Sequence, residues 1–312
     1  MAKTTTLNVI VFPGGFNLPI WSAIHCGAFS QQNIDIDLHF TTNSVQQLTG
    51  LIKGEWEIGL TGFDNIIAYQ EGQGEAKLDR EPDLFAFMGG DNAFLNLLVQ
   101  PDIQSYADLK GKTLSVDALT TGFAFVLRKM LALNGIAEDD VRFERAGGVL
   151  QRFDALKDGL HAGTLVVTPF DIIGQKFGLR VLQSASALLP HYQGICGAAR
   201  RGWAKDNPDI LAGFIRGYLA GLRWLFDRQN ETAACHLLAE KVPNMSGEMA
   251  KATYGILVAD TGGFEPKAQL DVPGVETVLK LRSEYGRPRK ILDDARKYDD
   301  LSYYNRAVAG ID

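Results

Sequence analysis

Up to about residue 206 the spacing of apolar positions switches repeatedly between strand and helix periods. Residues 7–12, LNVIVF, are nearly all apolar, as a strand covered on both faces should be. Residues 34–40, IDIDLHF, alternate strictly and predict a strand with one face in water. Short apolar runs at 57–60, 84–88, 94–99, 113–116, 141–145, 163–167, 180–184 and 191–199 read as further strands. Between them, helices are expected at 17–29, from 45 to a stop at Gly54, after Asn65, and at 149–160. Another follows Thr120, Thr121 and Gly122, where Phe123, Val126, Leu127, Met130 and Leu131 recur at helical spacing. From Asn207 the pattern is almost purely helical. Pro208 opens a helix with the stripe Ile210, Leu211, Phe214, Tyr218, Leu219, Leu222 and Leu225, and others begin at Ser246, 273 and 299. The polar insert 71–82, EGQGEAKLDREP, reads as a mobile surface loop.

Alternating strands and helices imply an α/β protein with parallel sheets, whose ligands sit beyond the carboxyl ends of the strands. Six strand-end turns would share that place: 12–17, 41–44, 61–65, 89–92, 117–123 and 168–171. They are rich in Gly, Thr, Asn, Asp and Phe and hold no Lys or Arg. Such turns supply backbone N–H groups, hydroxyls, carboxylates and ring walls, which suits binding without reaction.

Within the turns, Phe12, Phe16 and Phe63 are candidate stacking rings, and Trp21, lying inside a helix, is assigned to the core. Phe170 is a further ring candidate. Asp64, Asp91 and Asp117 can accept hydrogen bonds from a ligand, although turn and cap duty suits each of them too. Thr42, Thr61, Thr121 and Thr168 are candidate hydroxyl contacts, with capping as the equal alternative. Asn17, Gly122 and Gln193 complete the expected binding set, Gln193 because it adjoins the last strand with His191 and Tyr192. Carboxylates without a cation argue against a strongly anionic solute. Arg145, at a strand end, is the one nearby cation able to reverse that expectation.

Composition narrows the classes. At 312 residues the chain has room for about two domains, and 46% apolar with 22% charged residues is ordinary for a globular protein. A net charge of −6 with no basic block disfavours nucleic acid or an anionic membrane as partner. Cys26, Cys196 and Cys235 fit no metal or redox spacing. His25, His39, His161, His191 and His236 show no HxxxH or HExxH pattern, so neither metal nor cofactor is expected. No apolar run is long enough for a membrane span. The N-terminus carries no leader pattern, which implies a removed leader or, with Met1 as native start, a cytoplasmic protein.

Three stretches carry a family resemblance: LNVIVFPGGFNLPIWSAIHCGAF followed by IDIDLHF; LIKGEWEIGLTG; and DLKGKTLSVD, TTG and LRKMLALNGI. In that order they resemble the type II periplasmic solute-binding proteins, in the branch of nitrate, sulfonate, taurine and thiamine-pyrimidine-precursor receptors. The resemblance covers essentially the whole chain. It implies two α/β lobes, 1–93 plus 196–312 and 94–195, joined by crossings at 94–99 and 191–199. It further implies a Venus-flytrap closure on a solute, and the charge and rings of the turns make that solute small and neutral or weakly polar, aromatic and heteroaromatic rings included. An ABC permease would then be the partner and a monomer the expected state. Glu57 and His161 stand where the family usually has aspartate, and structural duty is expected of both. The alternative is a cytoplasmic enzyme on the same fold, a decarboxylase or hydrolase using His161 or His191 with Asp171, or pyrimidine-precursor-type chemistry. The cysteine-rich motif of the pyrimidine-precursor synthases is missing from the sequence.

Overall fold

The computed structural model describes residues 4–260 and 262–309, so the expectation attached to Met1 lies outside the described residues. In the first sheet β1 (Thr5–Val11) runs parallel to β2 (Ile34–Phe40), Thr5 opposite Ile34 and Val11 opposite Phe40. On its other side β1 pairs in parallel with β3 (Ile58–Gly62). β4 (Leu84–Met88) ends this run of the chain in the first sheet, and β5 (Leu95–Val99) belongs to the second. There β6 (Thr113–Val116) lies between β7 (Arg142–Arg145) and β8 (Gly163–Val167), parallel to both. β5 runs antiparallel between β8 and β9 (Arg180–Ser184). The chain then returns, and β10 (Ile195–Arg200) inserts antiparallel between β3 and β4. The strand orders are β2-β1-β3-β10-β4 and β7-β6-β8-β5-β9.

Both sheets are therefore mixed, where alternation alone implies parallel ones. The antiparallel strand in each is the one that arrives from the other sheet. A crossing strand has no helix to reverse it before it pairs, so it enters its new sheet against the grain. The passages themselves are short: 89–94 outward and 185–194 back.

Helices cover the sheet faces. α1 (Leu18–His25), α2 (Ser44–Lys53) and α3 (Phe63–Gln70) follow the strands of the first sheet. α4 (Gly122–Leu133), α5 (Val149–Lys157) and α6 (Phe170–Lys176) follow those of the second. α7 (Arg201–Asp206) leads into α8 (Pro208–Phe226), α9 (Glu231–Lys241) and α10 (Gly247–Leu257), and then come α11 (Val272–Tyr285) and α12 (Ser302–Val308). α2 shows how local sequence sets an element. Asn43 accepts from the amide of Gln46 at 2.8 Å to start it, and Gly54 at φ 86° stops it. β4 buries all of Leu84, Phe85, Ala86, Phe87 and Met88, each large side chain contributing about 1.5–3 kcal/mol of burial. Among the described residues no helix is long and apolar enough to cross a membrane.

The insert 71–82 is not the free loop its composition suggests. Glu71 is 5% exposed and accepts from Lys290 at 2.9 Å, from Tyr298 at 2.9 Å and from Lys297. Gln73, fully buried, donates to the carbonyl of Pro288 at 2.8 Å. Polar residues here are anchors to the C-terminal segment, and composition cannot distinguish an anchor from a solvated loop. Burial raises the Glu71 carboxyl, but the bonds from Lys297, Lys290 and Tyr298 outweigh it and hold the pKa at about 2. A depressed carboxylate stabilises the fold above its unfolded pKa, and that stabilisation is lost as pH falls from about 4.5 towards about 2. Glu71→Gln is thus expected to cost about 1–2 kcal/mol at neutral pH, discounted because both lysines reach solvent, and much less at pH 2.5. Urea midpoints of both proteins at the two pH values check it.

Candidate functional site

The carboxyl-end turns of the two sheets face each other across a pocket with an empty volume of about 680 Å³, its open mouth included. From the first sheet come Phe12 and Phe16 after β1, Ser44 at the head of α2, and Gly62, Asp64 and Asn65 where β3 meets α3. The second sheet supplies Asp117 after β6, then Thr121, Gly122 and Phe123 opening α4, and Gly148, Val149 and Arg152 opening α5. Asp91 and Ala93 on the outward passage and Tyr192 and Ile195 on the return close the back.

Three helices, α3, α4 and α5, begin at this wall without a side-chain cap on their first amides. The first amide of α3, that of Phe63, donates to the carbonyl of Gly194 at 2.9 Å, so the first turns of α4 and α5, with the dipole ends of all three, make the wall a hydrogen-bond donor surface. Ring faces complete it, Phe123 lying 6.5 Å from Tyr192 at 50°. Tyr192 keeps its proton, because burial, with Asp64 adding to it, pushes its pKa well up. Where the sheets meet, the carbonyl of Thr42 accepts from the amide of Gly148 at 2.9 Å, so the two sets of turns are in direct contact.

The charges divide into spent and unspent groups. Asp64 is held by both arms of Arg282, Nε at 2.6 Å and Nη2 at 2.8 Å, and is not free to take a ligand hydrogen bond. The same guanidinium donates to Gln73 at 3.2 Å and to the carbonyl of Thr120 at 2.6 Å. Asp91 pins the backbone, its Oδ1 accepting from the amides of Ala93 at 2.7 Å and Ile195 at 2.9 Å, and burial pushes it up to about 6. Arg145 is spent as well, on Glu75 at 2.9 Å, and Glu75 also accepts from the amide of Leu119 at 3.0 Å.

Arg152 is different. It is 3% exposed and meets only neutral acceptors: Thr164 Oγ1 at 3.2 Å, the carbonyl of Gly147 at 2.8 Å and that of Leu165 at 3.2 Å. Burial lowers its pKa, with Asp117 opposing. The pocket therefore does contain a cation, contrary to the composition of its six turns. It arrives seven residues after the end of β7, in the first turn of α5, on a face that a survey of turns does not reach.

The other expected contacts lie elsewhere. Asn17 is buried and donates to the carbonyl of Phe12 at 2.6 Å, and Thr61 accepts from Asn65 at 3.0 Å. Thr42 meets the opposite sheet through its carbonyl. Phe63 and Trp21 are core residues, and Phe170 packs on Phe153 at 5.3 Å. Gln193 braces the return passage, donating to the carbonyl of Ile195 at 3.0 Å and accepting from the amide of Asp271 at 2.8 Å. Thr168 lines a second cavity. Phe12, Phe16, Asp64, Asp91, Asp117, Thr121 and Gly122 do line the pocket, and Thr121 spends its hydroxyl on the carbonyl of Ala118 at 3.1 Å.

The residues weighed for catalysis do not converge. His161 sits 3.5 Å from Glu144 before β8 begins, whereas Asp171 follows the strand's far end and takes a bond from Asn96 at 3.1 Å. His191 is exposed and 3.3 Å from Asp271. Glu57 has a structural task, accepting from the amide of Asn8 at 2.9 Å and from its side chain at 3.0 Å.

The passage outward is strained. Ala93 at φ 73° and Phe94 at φ 47° are consecutive left-handed residues, unusual for side chains of their kind. Asp91 caps the amide of Ala93 and Asn92 that of Phe94 at 3.1 Å, which holds the kink between the sheets.

Among solved structures, the periplasmic nitrate-binding protein NrtA of Synechocystis PCC 6803 superimposes with a TM-score of 0.81 at 12% identity, over 99% of this chain and 89% of that one. The ligand-binding component of an ABC-type import system from Staphylococcus aureus, with zinc bound, gives 0.77 at 12% identity over 97% and 99%. A formylaminopyrimidine-binding protein of Halalkalibacterium halodurans is 20% identical over 231 residues, 70% of this chain and 66% of that relative, a match just short of two-thirds of its length. The family profile described as NMT1/THI5 like matches residues 17–232, a span holding every strand-end turn from α1 through α8, and the chain belongs to that family.

Proposed function

We propose that the protein is the solute-binding component of an ABC-type importer, working in the periplasm as a monomer and delivering its solute to a membrane permease. The folds of the nitrate-binding and import-system proteins support this reading. Its lobes would be 1–93 plus 196–312 and 94–195, turning about the strained outward passage at Ala93 and Phe94 and the return before β10.

The charge inventory of the pocket carries the ligand class. Asp64 is cancelled by Arg282, leaving Arg152 and Asp117 as opposite unspent charges on one wall. A guest that accepts at Arg152, donates at Asp117 and slides between the rings of Phe12, Phe16, Phe123 and Tyr192 answers both of these charges and the ring walls. That describes a small neutral or weakly polar heteroaromatic ring bearing an amino substituent. Formylaminopyrimidine, the ligand in the name of the Halalkalibacterium relative, is of this class. A strong anion would be opposed by Asp117, and its charge would exceed the single cation's need.

Thermal unfolding against aminopyrimidines, alkanesulfonates, nitrate, aromatic acids and amines tests it. An aminopyrimidine at about 100 times its dissociation constant should add roughly 2.7 kcal/mol, or about 5 °C in Tm. Recovery of the added compound unchanged by chromatography is also expected. A shift with nitrate or sulfonate alone would overturn the ligand class. Indifference to the whole panel, or conversion of the bound compound, would overturn the receptor reading.

A further inference from the structure

Tyr192 lines two cavities, and the second lies on the far side of the outward passage. Asp91 and Ala93 face the cleft, while Asn92, Phe94 and Asn96 face this other space, whose empty volume including its opening is about 880 Å³. It is drawn from both sheets' surroundings, with Gly262 and Ile256 on one side and Thr168, Asp171 and Ser184 on the other.

Its polar focus is Asp171, 7% exposed, in the first turn of α6. Asn96 satisfies Oδ2 at 3.1 Å, while Oδ1 is buried without a well-aligned hydrogen bond among the described residues; burial raises the carboxyl's pKa, and the amide of Ile172 and the hydroxyl of Thr168 oppose it only in part. A buried acceptor left unpaired is costly, and a buried unpaired carboxylate more so. No Lys, Arg or His is among the lining residues to neutralise it. The hydroxyls of Thr168, Ser184 and Ser186 share the wall, those of the two serines 2.8 Å apart, and Phe94, Val126 and Leu189 give it an apolar side. One anion, a cluster of hydroxyls and an apolar side together select the charge and the shape of an occupant.

We propose that this cavity is a second ligand site, binding a small primary ammonium ion with an apolar tail. The ammonium group donates to Asp171 Oδ1 and to the neighbouring hydroxyls, and the tail packs on Phe94, Val126 and Leu189. Three N–H donors on a compact charge answer the orphaned oxygen in a way that a neutral alcohol, with one donor and no charge, cannot. A bare inorganic cation would leave the apolar wall without a partner. Its test needs no knowledge of the solute in the cleft.

The test is a titration of the full chain with butylammonium chloride, followed by the NMR signals of the Asn96 side-chain amide. A saturable shift is expected, and Asp171→Asn, which keeps shape and removes charge, should weaken it at least tenfold. Ser184→Leu, which fills the cavity, should abolish it and decides the matter if the first variant does not fold. Asp117→Asn in the cleft should leave the affinity within twofold. Potassium chloride and 1-butanol should each bind at least tenfold more weakly. A shift that fails to saturate, equal binding of 1-butanol, or sensitivity to Asp117→Asn in place of Asp171→Asn would overturn the proposal.

Discussion

Arg282→Met lowers stability by about 3–5 kcal/mol, the cost of stranding a buried carboxylate whose partner has been removed. Arg282 is fully buried, and Asp64, Gln73 and the carbonyl of Thr120 all depend on it. The loss comes mostly from Asp64, 4% exposed, whose carboxylate would be left without its counter-charge. Asp64→Asn combined with Arg282→Met is therefore expected to be less harmful than Arg282→Met alone, since the amide needs no counter-charge. Urea unfolding of the two single variants and the double variant measures the coupling. A change under 1 kcal/mol for Arg282→Met, or strict additivity of the pair, would show that the guanidinium does not carry this charge. Because Arg282 also reaches Thr120 beside α4, the ion pair joins the C-terminal helix α11 to the turns of both sheets. That is why its loss is expected to broaden the unfolding transition as well as shift it.

The strands were legible in the sequence because their apolar runs are short and sharply bounded; IDIDLHF and GTLVV appear in the structure at the expected residues. Strand direction was not legible. Nothing in LNLLV or ICGAAR says that β5 and β10 arrive from the opposite sheet, and periodicity is the same for either polarity. Turn chemistry located the neighbourhood of the pocket but not its charges. Arg282 hides between Leu281 and Ser283 in an ordinary amphipathic helix, and Arg152 likewise sits inside α5. Whether a charged residue is solvated or buried depends on which helix face meets the rest of the fold; for Arg282 that is set by partners more than 150 residues away, and for Arg152 by the packing of α5 on β8. The insert 71–82 failed for the same reason: its partners Lys290, Lys297 and Tyr298 lie over 200 residues downstream.

Gly122→Val is expected to leave each half of the protein folded while weakening solute binding at least a hundredfold, about 2.7 kcal/mol. A Cβ at position 122 would stand 2.6 Å from Cβ and Cγ of Asp64 and 2.7 Å from the hydroxyl of Tyr192. Asp64 cannot step aside, because Arg282 grips both its oxygens. Within its own helix the substitution is cheap, since Gly122 only opens α4 and any residue adopts that start. The strain therefore falls on the approach of α4 to α3, which is the approach that brings the two sets of turns together. The relief available is to open the cleft at its mouth, giving up the bond between Gly148 and the carbonyl of Thr42. Small-angle scattering should show an expanded particle that added solute no longer compacts, while the urea midpoint moves little. Unaltered affinity together with an unaltered scattering profile would mean that closure does not pass through this contact. Loss of the urea transition itself would mean that the glycine serves folding before it serves binding.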